Sequence, residues 1–201
     1  MSNFIIGSIY SFLFFTLFIG LELASRKIHY SGEITRKLAH VFSGVFGIFM
    51  AAVLNYWVFL FFCIIFLVVI SISYLTKLFT SIHNVQRRTL GEIFLPIGII
   101  IAYILSGGNG NVFVTSVLIL TISDPLAGLV VSEPKFKKFV HGGSVIFFIS
   151  ALLILFIFIK LPILYLVIIA LVTTFVERIS KYGTDNITIP LAASLTLKLF
   201  L

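Results

Sequence analysis

The stretch YWVFLFFCIIFLVVISISYLT occupies residues 56–76 and contains no charged residue. A helix needs about 20 mostly apolar residues to cross the hydrocarbon core of a bilayer. A run of this length is also too long for an ordinary strand. Residues 56–76 therefore predict a transmembrane helix, and with it an integral membrane protein.

The rest of the chain has the same character. Of its 201 residues, 60% are hydrophobic and only 10% are charged, which is more apolar surface than a soluble domain of this size could bury. Further candidate spans lie at 4–24, 38–54, 93–106, 112–132, 144–160, 162–177 and 187–201. We predict an all-α, polytopic transmembrane helix bundle of about eight spans (seven to nine), forming one integral membrane domain over residues 1–201.

Positive charge is distributed unevenly between the predicted loops. Loops 25–37, 77–92, 133–143 and 178–186 carry most of the Lys and Arg residues, whereas the loops between them are nearly free of charge. Because cytoplasmic loops collect Lys and Arg, we expect these four loops in the cytoplasm and the N-terminus outside. The net charge of +7 is explained by this topology and by attraction to anionic headgroups or substrates, so we expect no nucleic-acid partner.

The acidic residues follow the basic ones. When the spans are threaded alternately through the membrane, every carboxylate falls on the cytoplasmic side: Glu22, Glu33, Glu92, Asp124, Glu133, Glu177 and Asp185. A purely structural bundle needs few acids. Carboxylates and cations gathered at one membrane face predict a site for metal and phosphate there.

Asp124 lies inside the fifth predicted span, in the sequence SDPLAG. An ionised carboxylate costs a few kcal/mol in hydrocarbon, so we expect it to face a cavity, a cation or a polar partner. Pro125 should break the helix locally, and Gly128 on the same face should leave room for a ligand or a neighbouring helix. The structural alternative is a carboxylate paired with Lys or Arg of another helix.

Arg36, Lys37 and His40 form the motif RKLAH at the start of the second span. Arg36 and His40 are one helical turn apart and share a face, where cations can hold phosphate oxygens. The alternative is a topology signal, because a basic pair before a span is ordinary.

A second candidate for phosphate binding opens the sixth span. Gly142, Gly143 and Ser144 should expose backbone N–H groups at a helix start, and Lys138 lies just upstream. The alternative is a flexible turn with a good N-cap.

The remaining candidates are oxygen donors near helix ends. Glu177, Asp185 and Asn186 supply the hard oxygen ligands that Mg²⁺ prefers, although Asp185 and Asn186 could instead form a capping Asx turn. Glu92 opens the fourth span, where it could cap the helix, bind a metal or act as a general base.

Together these motifs resemble the polyprenol kinase family, which includes dolichol kinase, phytol kinase and the CTP-dependent diacylglycerol kinase. The CDP-lipid-forming cytidylyltransferases are more distant relatives. The matching pieces, in the family's order, are RKLAH (36–40), GEIFLPIG (91–98), SDPLAG (123–128), HGGSVIFF (141–148) and ERISKYGTDNITIP (177–190). The chain departs from the family pattern at Val131, where a glycine is common, and at 139–144, which lacks the usual glutamate.

The resemblance implies a kinase that transfers the γ-phosphoryl group of a nucleoside triphosphate, CTP above all, to the hydroxyl of a polyprenol, a phytol-like isoprenoid alcohol or a diacylglycerol. Its active site would face the cytoplasm. Asp124 with Asp185 or Glu177 would hold Mg²⁺, Arg36 and Lys138 would hold phosphate, and Glu92 or Asp124 would accept the hydroxyl proton. Two alternatives stay open: a CTP-dependent cytidylyltransferase that makes a CDP-activated lipid, and a small cation- or proton-coupled transporter.

Overall fold

The computed structural model of the chain describes residues 2–28, 32–76, 90–132 and 142–201, and helices account for nearly all of them. In chain order these are α1 (Asn3–Ile28), α2 (Gly32–Val53), α3 (Tyr56–Thr76), α4 (Gly91–Ser106), α5, α6 (Gly142–Phe158), α7 (Ile163–Ile179) and α8 (Asp185–Phe200). The helix α5 is composite: Gly110–Leu118 is α-helical, Ile119–Ser123 is a π-helical turn, and Asp124–Ser132 is α-helical again. Each predicted span coincides with one helix, which confirms the all-α bundle.

The helices differ in length. Four segments are long and apolar enough to cross a membrane: Asn3–Ala24, Ile34–Val53, Tyr56–Thr76 and Gly110–Val130. The helices α4 and α6 are apolar but have only 16 and 17 residues. At ~1.5 Å per residue such helices are roughly 25 Å long, less than the ~30 Å of a hydrocarbon core. Complete crossing by the four shorter helices, and the outside location of the N-terminus, stay predictions.

The C-terminal helix lies at the centre of the bundle. It packs against α4 above all, and also against α7 and α5, whereas α1 packs against α2 and α3. The fully buried side chains that fill the core include Leu120, Phe147, Ile169, Ile189 and Leu197. Most of α1 is exposed, and its large apolar side chains face outward, as expected for a surface in contact with lipid.

Glycines permit the closest helix crossings. A Cβ atom at Gly98 of α4 would collide with the backbone carbonyl oxygen of Asn186 in α8, and one at Gly44 of α2 would collide with the side chain of Thr121 in the π-helical turn. Membrane helices associate mainly through van der Waals packing, so small residues at such contacts let backbones approach closely. These two crossings fix α4 on α8 and α2 on α5.

Several helices extend beyond the predicted spans. The helix α2 begins at Gly32, six residues before the predicted span 38–54, so Arg36 and Lys37 lie in its first turns and not in a loop. Likewise α7 continues to Ile179, and α8 begins at Asp185. The reason is that a helix can continue past the apolar segment into the polar headgroup region, where hydropathy gives no signal. Lys138 and most of the predicted loops 77–92 and 133–143 lie outside the described residues.

Candidate functional site

The first turns of α2 contribute the cations of the site. Lys37 and His40 are buried and Arg36 is partly buried. The guanidinium of Arg36 lies close enough to the His40 imidazole for electrostatic interaction, as expected for two side chains one helical turn apart. Within the described residues, Arg36 Nε and His40 Nε2 are buried without a hydrogen-bond partner. Both nitrogens therefore have capacity to bind a ligand.

Lys37 crosses from α2 to α5. A Cβ atom at Gly128 would lie 2.7 Å from Lys37 Nζ and 3.1 Å from its Cε. The space that the absent side chain of Gly128 leaves is therefore filled by the end of the lysine. Gly128 lies one helical turn after Asp124 in α5. The contact therefore places the Lys37 ammonium beside α5, one turn beyond Asp124.

Asp124 directly follows the π-helical turn Ile119–Ser123 and begins the last α-helical part of α5. Pro125 follows inside this continuous helix, where it has no N–H to donate to the preceding turn. The predicted local break in the helix thus takes the form of a π-helical turn, a feature that is frequent at functional sites. Asp124 is partly buried and within electrostatic range of Arg36, Lys37, Glu177 and Asp185.

The connection between α7 and α8 is fixed onto the start of α4. The backbone N–H of Leu90 donates to the Tyr182 carbonyl over 3.1 Å. Gly183 has φ +88°, and a Cβ atom there would lie 2.5 Å from the backbone nitrogen of Gly91. Only glycine fits this position, because both the conformation and the close approach exclude a side chain. The start of α8, with Asp185, is thereby held against the start of α4, where Glu92 lies.

The two polar side-chain atoms of Asn186 differ in their hydrogen bonding. Its Nδ2 donates a hydrogen bond of 2.8 Å to the Gly91 carbonyl oxygen, whereas its Oδ1 is buried without a hydrogen-bond partner in the described structure. Glu177 Oε2 is likewise buried without such a partner. Buried oxygen acceptors are normally satisfied, so these two atoms are candidate ligands for a cation or a donor group.

Asp185 is the first residue of α8 and precedes the predicted span 187–201. Burial raises the pKa of its carboxyl, while a hydrogen bond of 2.9 Å from the Asn186 N–H and the charge of Arg36 act in the opposite direction. Asp185 does not cap the helix by itself, because the N-cap position is Thr184, which makes no side-chain cap bond. The carboxylate lies within electrostatic range of Arg36 and Asp124.

Two further predictions concern helix starts. Glu92 is partly buried in the first turn of α4, where a carboxylate interacts favourably with the positive end of the helix dipole. Gly142, Gly143 and Ser144 form the first turn of α6, which packs against the Asp124–Ser132 part of α5. Binding of phosphate by this turn stays a prediction.

The oxygen donors around Asp124 match the ligand preference of Mg²⁺. Within the described ranges, no three His, Cys, Asp or Glu side chains gather closely enough to hold a metal by themselves. Mg²⁺ does not require such a cage, since it is usually bound through one or two carboxylates together with waters and substrate phosphates. Asp124 and Asp185, with Glu177 Oε2 and Asn186 Oδ1, fit that pattern as oxygen donors.

Sequence reasoning missed Ser123, the residue before Asp124. It is fully buried, and its Oγ has no hydrogen-bond partner among the described residues. Serine and threonine hydroxyls inside helices commonly bond to the carbonyl four residues back, as Thr121 does to Val117 over 2.8 Å. Ser123 differs from Thr121 of the same π-helical turn in that its hydroxyl makes no such bond, and the sequence gives no signal of this difference.

Comparison with known proteins adds no relative: no protein-family model matches the chain, and no curated protein or solved structure matches it either.

Proposed function

We propose that the chain is a membrane-embedded lipid-alcohol kinase that transfers the γ-phosphoryl group of a nucleoside triphosphate, CTP above all, to the hydroxyl of a lipid. The main support is the meeting of charges around Asp124. Two cations of α2 and the acids of α7 and α8 all lie within electrostatic range of this one carboxylate inside a candidate span. An intramembrane acid that is surrounded in this way is a functional residue by default.

The proposed reaction needs positioning and charge neutralisation more than covalent chemistry. The bond between the γ-phosphorus and the β,γ-bridging oxygen breaks, and a bond from the γ-phosphorus to the lipid hydroxyl oxygen forms. The nucleoside diphosphate leaves, and the hydroxyl proton passes to the carboxylate of Glu92 or Asp124. Arg36, Lys37 and His40 bind phosphate oxygens, and the charges of Arg36 and Lys37 neutralise the charge that develops on those oxygens.

A bound Mg²⁺ would neutralise and orient the phosphates. The residues proposed to hold it are Asp124, Asp185, Glu177 and Asn186, because their oxygens fit its preference for hard ligands. The same cluster explains the buried acceptor atoms of Glu177 and Asn186, which a purely structural bundle would leave unsatisfied.

The decisive experiment follows label from CTP into lipid. Purified protein in phosphatidylcholine vesicles is incubated with Mg²⁺, a lipid alcohol and CTP labelled at the γ-phosphate. We expect labelled lipid phosphate from the parent protein. The Asp124→Asn variant should form at least roughly 100-fold less, which is the range for loss of a general base or metal ligand. Lys198→Gln is the matched control, since it removes an exposed charge near Gly107, away from the cluster, and should keep full activity.

Other results would assign a different function. Label from the α-phosphate in the lipid, with release of pyrophosphate, would identify a cytidylyltransferase. Ion flux that Asp124→Asn abolishes, together with no labelled lipid from any triphosphate, would identify a transporter.

A further inference from the structure

A largely apolar cavity lies between α1, α2, α3 and α4. Its volume is about 50 Å³, and one side of it is open. Six phenylalanines line it, namely Phe14, Phe15, Phe46, Phe59, Phe62 and Phe66. The few polar groups of the lining belong to small residues, Ser11, Ser43 and Cys63. Such a lining recognises hydrocarbon and offers nothing to a charged or strongly polar ligand.

The cavity continues the polar cluster along two helices. On α2, Ser43, Gly47 and Met50 line the cavity and follow His40 at spacings of three, seven and ten residues, which keeps them on one face. On α4, Pro96 and Ile99 line the cavity and follow Glu92 at spacings of four and seven. The helix faces that carry His40 and Glu92 at one end therefore form the cavity wall further along.

The distance between cluster and cavity suits one amphipathic molecule. Glu92 and Pro96 are separated by four residues, or about 6 Å along the helix axis. A ligand with its polar end at Glu92 would have its first methylene groups beside Pro96. No break in the helix separates the two regions, since Gly91–Ser106 is continuous.

The volume limits how much hydrocarbon the cavity holds. One water-sized group needs about 10–15 Å³ of cavity volume, so 50 Å³ holds roughly 3–5 methylene-sized groups. The cavity therefore accommodates a short stretch of one chain and leaves no room for a second chain beside it.

We propose that this cavity binds the hydrocarbon chain of a single-chain lipid alcohol, whose hydroxyl lies at Glu92 and Arg36. The inference rests on the proposed kinase function and specifies its substrate class: one aliphatic chain, as in a long-chain or isoprenoid alcohol, in preference to a two-chain lipid such as a diacylglycerol. Any length beyond the capacity of the cavity extends through its open side into the bilayer.

Photo-cross-linking tests the proposal without nucleotide. A 16-carbon alcohol with a diazirine in the half of its chain nearer the hydroxyl is added to the protein in phosphatidylcholine vesicles and irradiated, and the labelled peptides are mapped by mass spectrometry. We expect label on the cavity wall, at Ser11, Phe14 and Phe15 of α1 and at Phe59, Phe62 and Phe66 of α3. Unlabelled hexadecanol should compete at least about tenfold better than a diacylglycerol of the same chain length.

A matched pair of variants locates the binding. Ser11 lines the cavity, whereas Ser8 on the same helix is exposed. Ser11→Phe should fill part of the cavity and weaken labelling at least roughly tenfold, and Ser8→Phe should leave labelling unchanged. Elution of each variant as a single symmetric peak in mild detergent checks its folding. If Ser11→Phe does not fold, the peptide map of the parent protein decides alone.

The outcomes separate this inference from the kinase proposal. Label that concentrates on outward-facing Phe12 and Leu13, or that persists in folded Ser11→Phe, would overturn the cavity as the chain site even if lipid phosphate is formed. Equal competition by diacylglycerol would overturn the single-chain preference. Specific cavity labelling without any phosphoryl transfer would support the binding site and reject the kinase.

Discussion

The side-chain Nδ2 of Asn186 donates a hydrogen bond of 2.8 Å to the backbone carbonyl oxygen of Gly91, 95 residues earlier in the chain. This bond joins the start of α8 to the start of α4. It also orients the side-chain amide, because donation from Nδ2 to the Gly91 carbonyl leaves Oδ1 available to a different partner. Asn186 is therefore placed to serve packing with one atom and ligand binding with the other.

Two substitutions of Asn186 separate these roles. Asn186→Leu removes both atoms, whereas Asn186→Asp keeps an oxygen at the position of Oδ1 but loses the donor. We expect both to lower the free energy of unfolding by about 0.6–1.7 kcal/mol, the range for interhelical hydrogen bonds in membranes. Only Asn186→Leu should raise the Mg²⁺ concentration needed for half-maximal lipid phosphorylation. An equal Mg²⁺ requirement in both variants would exclude Oδ1 as a ligand.

Gly98→Ala tests the crossing of α4 and α8. The added methyl group would collide with the carbonyl oxygen of Asn186, and because that atom belongs to the backbone, the helices must shift. Overpacking of this kind costs about 1–3 kcal/mol. Gly20→Ala is the matched control, since a methyl group there meets nothing within 4 Å. Unfolding in mixed micelles measures both, and unchanged stability of Gly98→Ala would contradict the crossing.

Gly128→Ala should affect activity without affecting the fold. The new methyl group would meet Lys37 Nζ, the far end of a flexible side chain that can move aside at small cost. The displaced ammonium then binds the phosphates less well, which we expect to lower kcat/KM for the nucleotide by about 10- to 100-fold, as for loss of a hydrogen bond to a charged group. Lys37→Met should cause a similar loss. If Gly128→Ala keeps full activity, Lys37 has no role in binding phosphate.

A buried hydroxyl pair links α5 to α8. Ser194 Oγ donates to Ser116 Oγ over 2.9 Å, and both residues are fully buried. A double-mutant cycle with Ser116→Ala and Ser194→Ala should give a coupling free energy of about 0.6 kcal/mol, and not more than ~1.7 kcal/mol. Pairing Ser116→Ala with Ser150→Ala is the control, because the Ser150 hydroxyl bonds within its own helix, so these two changes should be additive.

The sequence predicted the helices well because the bilayer imposes a strong length and composition requirement. Residues 56–76 were predicted and observed as one helix, and each of the other predicted spans has its counterpart. The ends were less accurate where polar residues continue a helix. Gly32 starts α2 and Asp185 starts α8, and neither position has a hydropathy signal.

The candidate site was predictable in outline and not in detail. Threading the spans was enough to bring Asp124 to the same side as Arg36, Glu177 and Asp185, since alternate loops share a membrane face. The rotation and tilt of each helix depend on packing with its neighbours, which hydropathy does not contain. The position of Lys37 beside Gly128, the π-helical turn before Asp124 and the aromatic cavity all depend on those rotations.

The pairing of α4 with α8 has a consequence for biogenesis. Ribosomes add about 5–20 residues per second, so the 95 residues from Gly91 to Asn186 take on the order of 5–20 s to make. Throughout that interval the surface of α4 around Gly98 faces lipid or the insertion machinery instead of α8. A nascent chain interrupted before α8 inserts would lack Asp185 and Asn186. The surface of α4 that α8 normally covers would then stay exposed, and membrane chaperones and proteases could recognise it as the mark of an incomplete bundle.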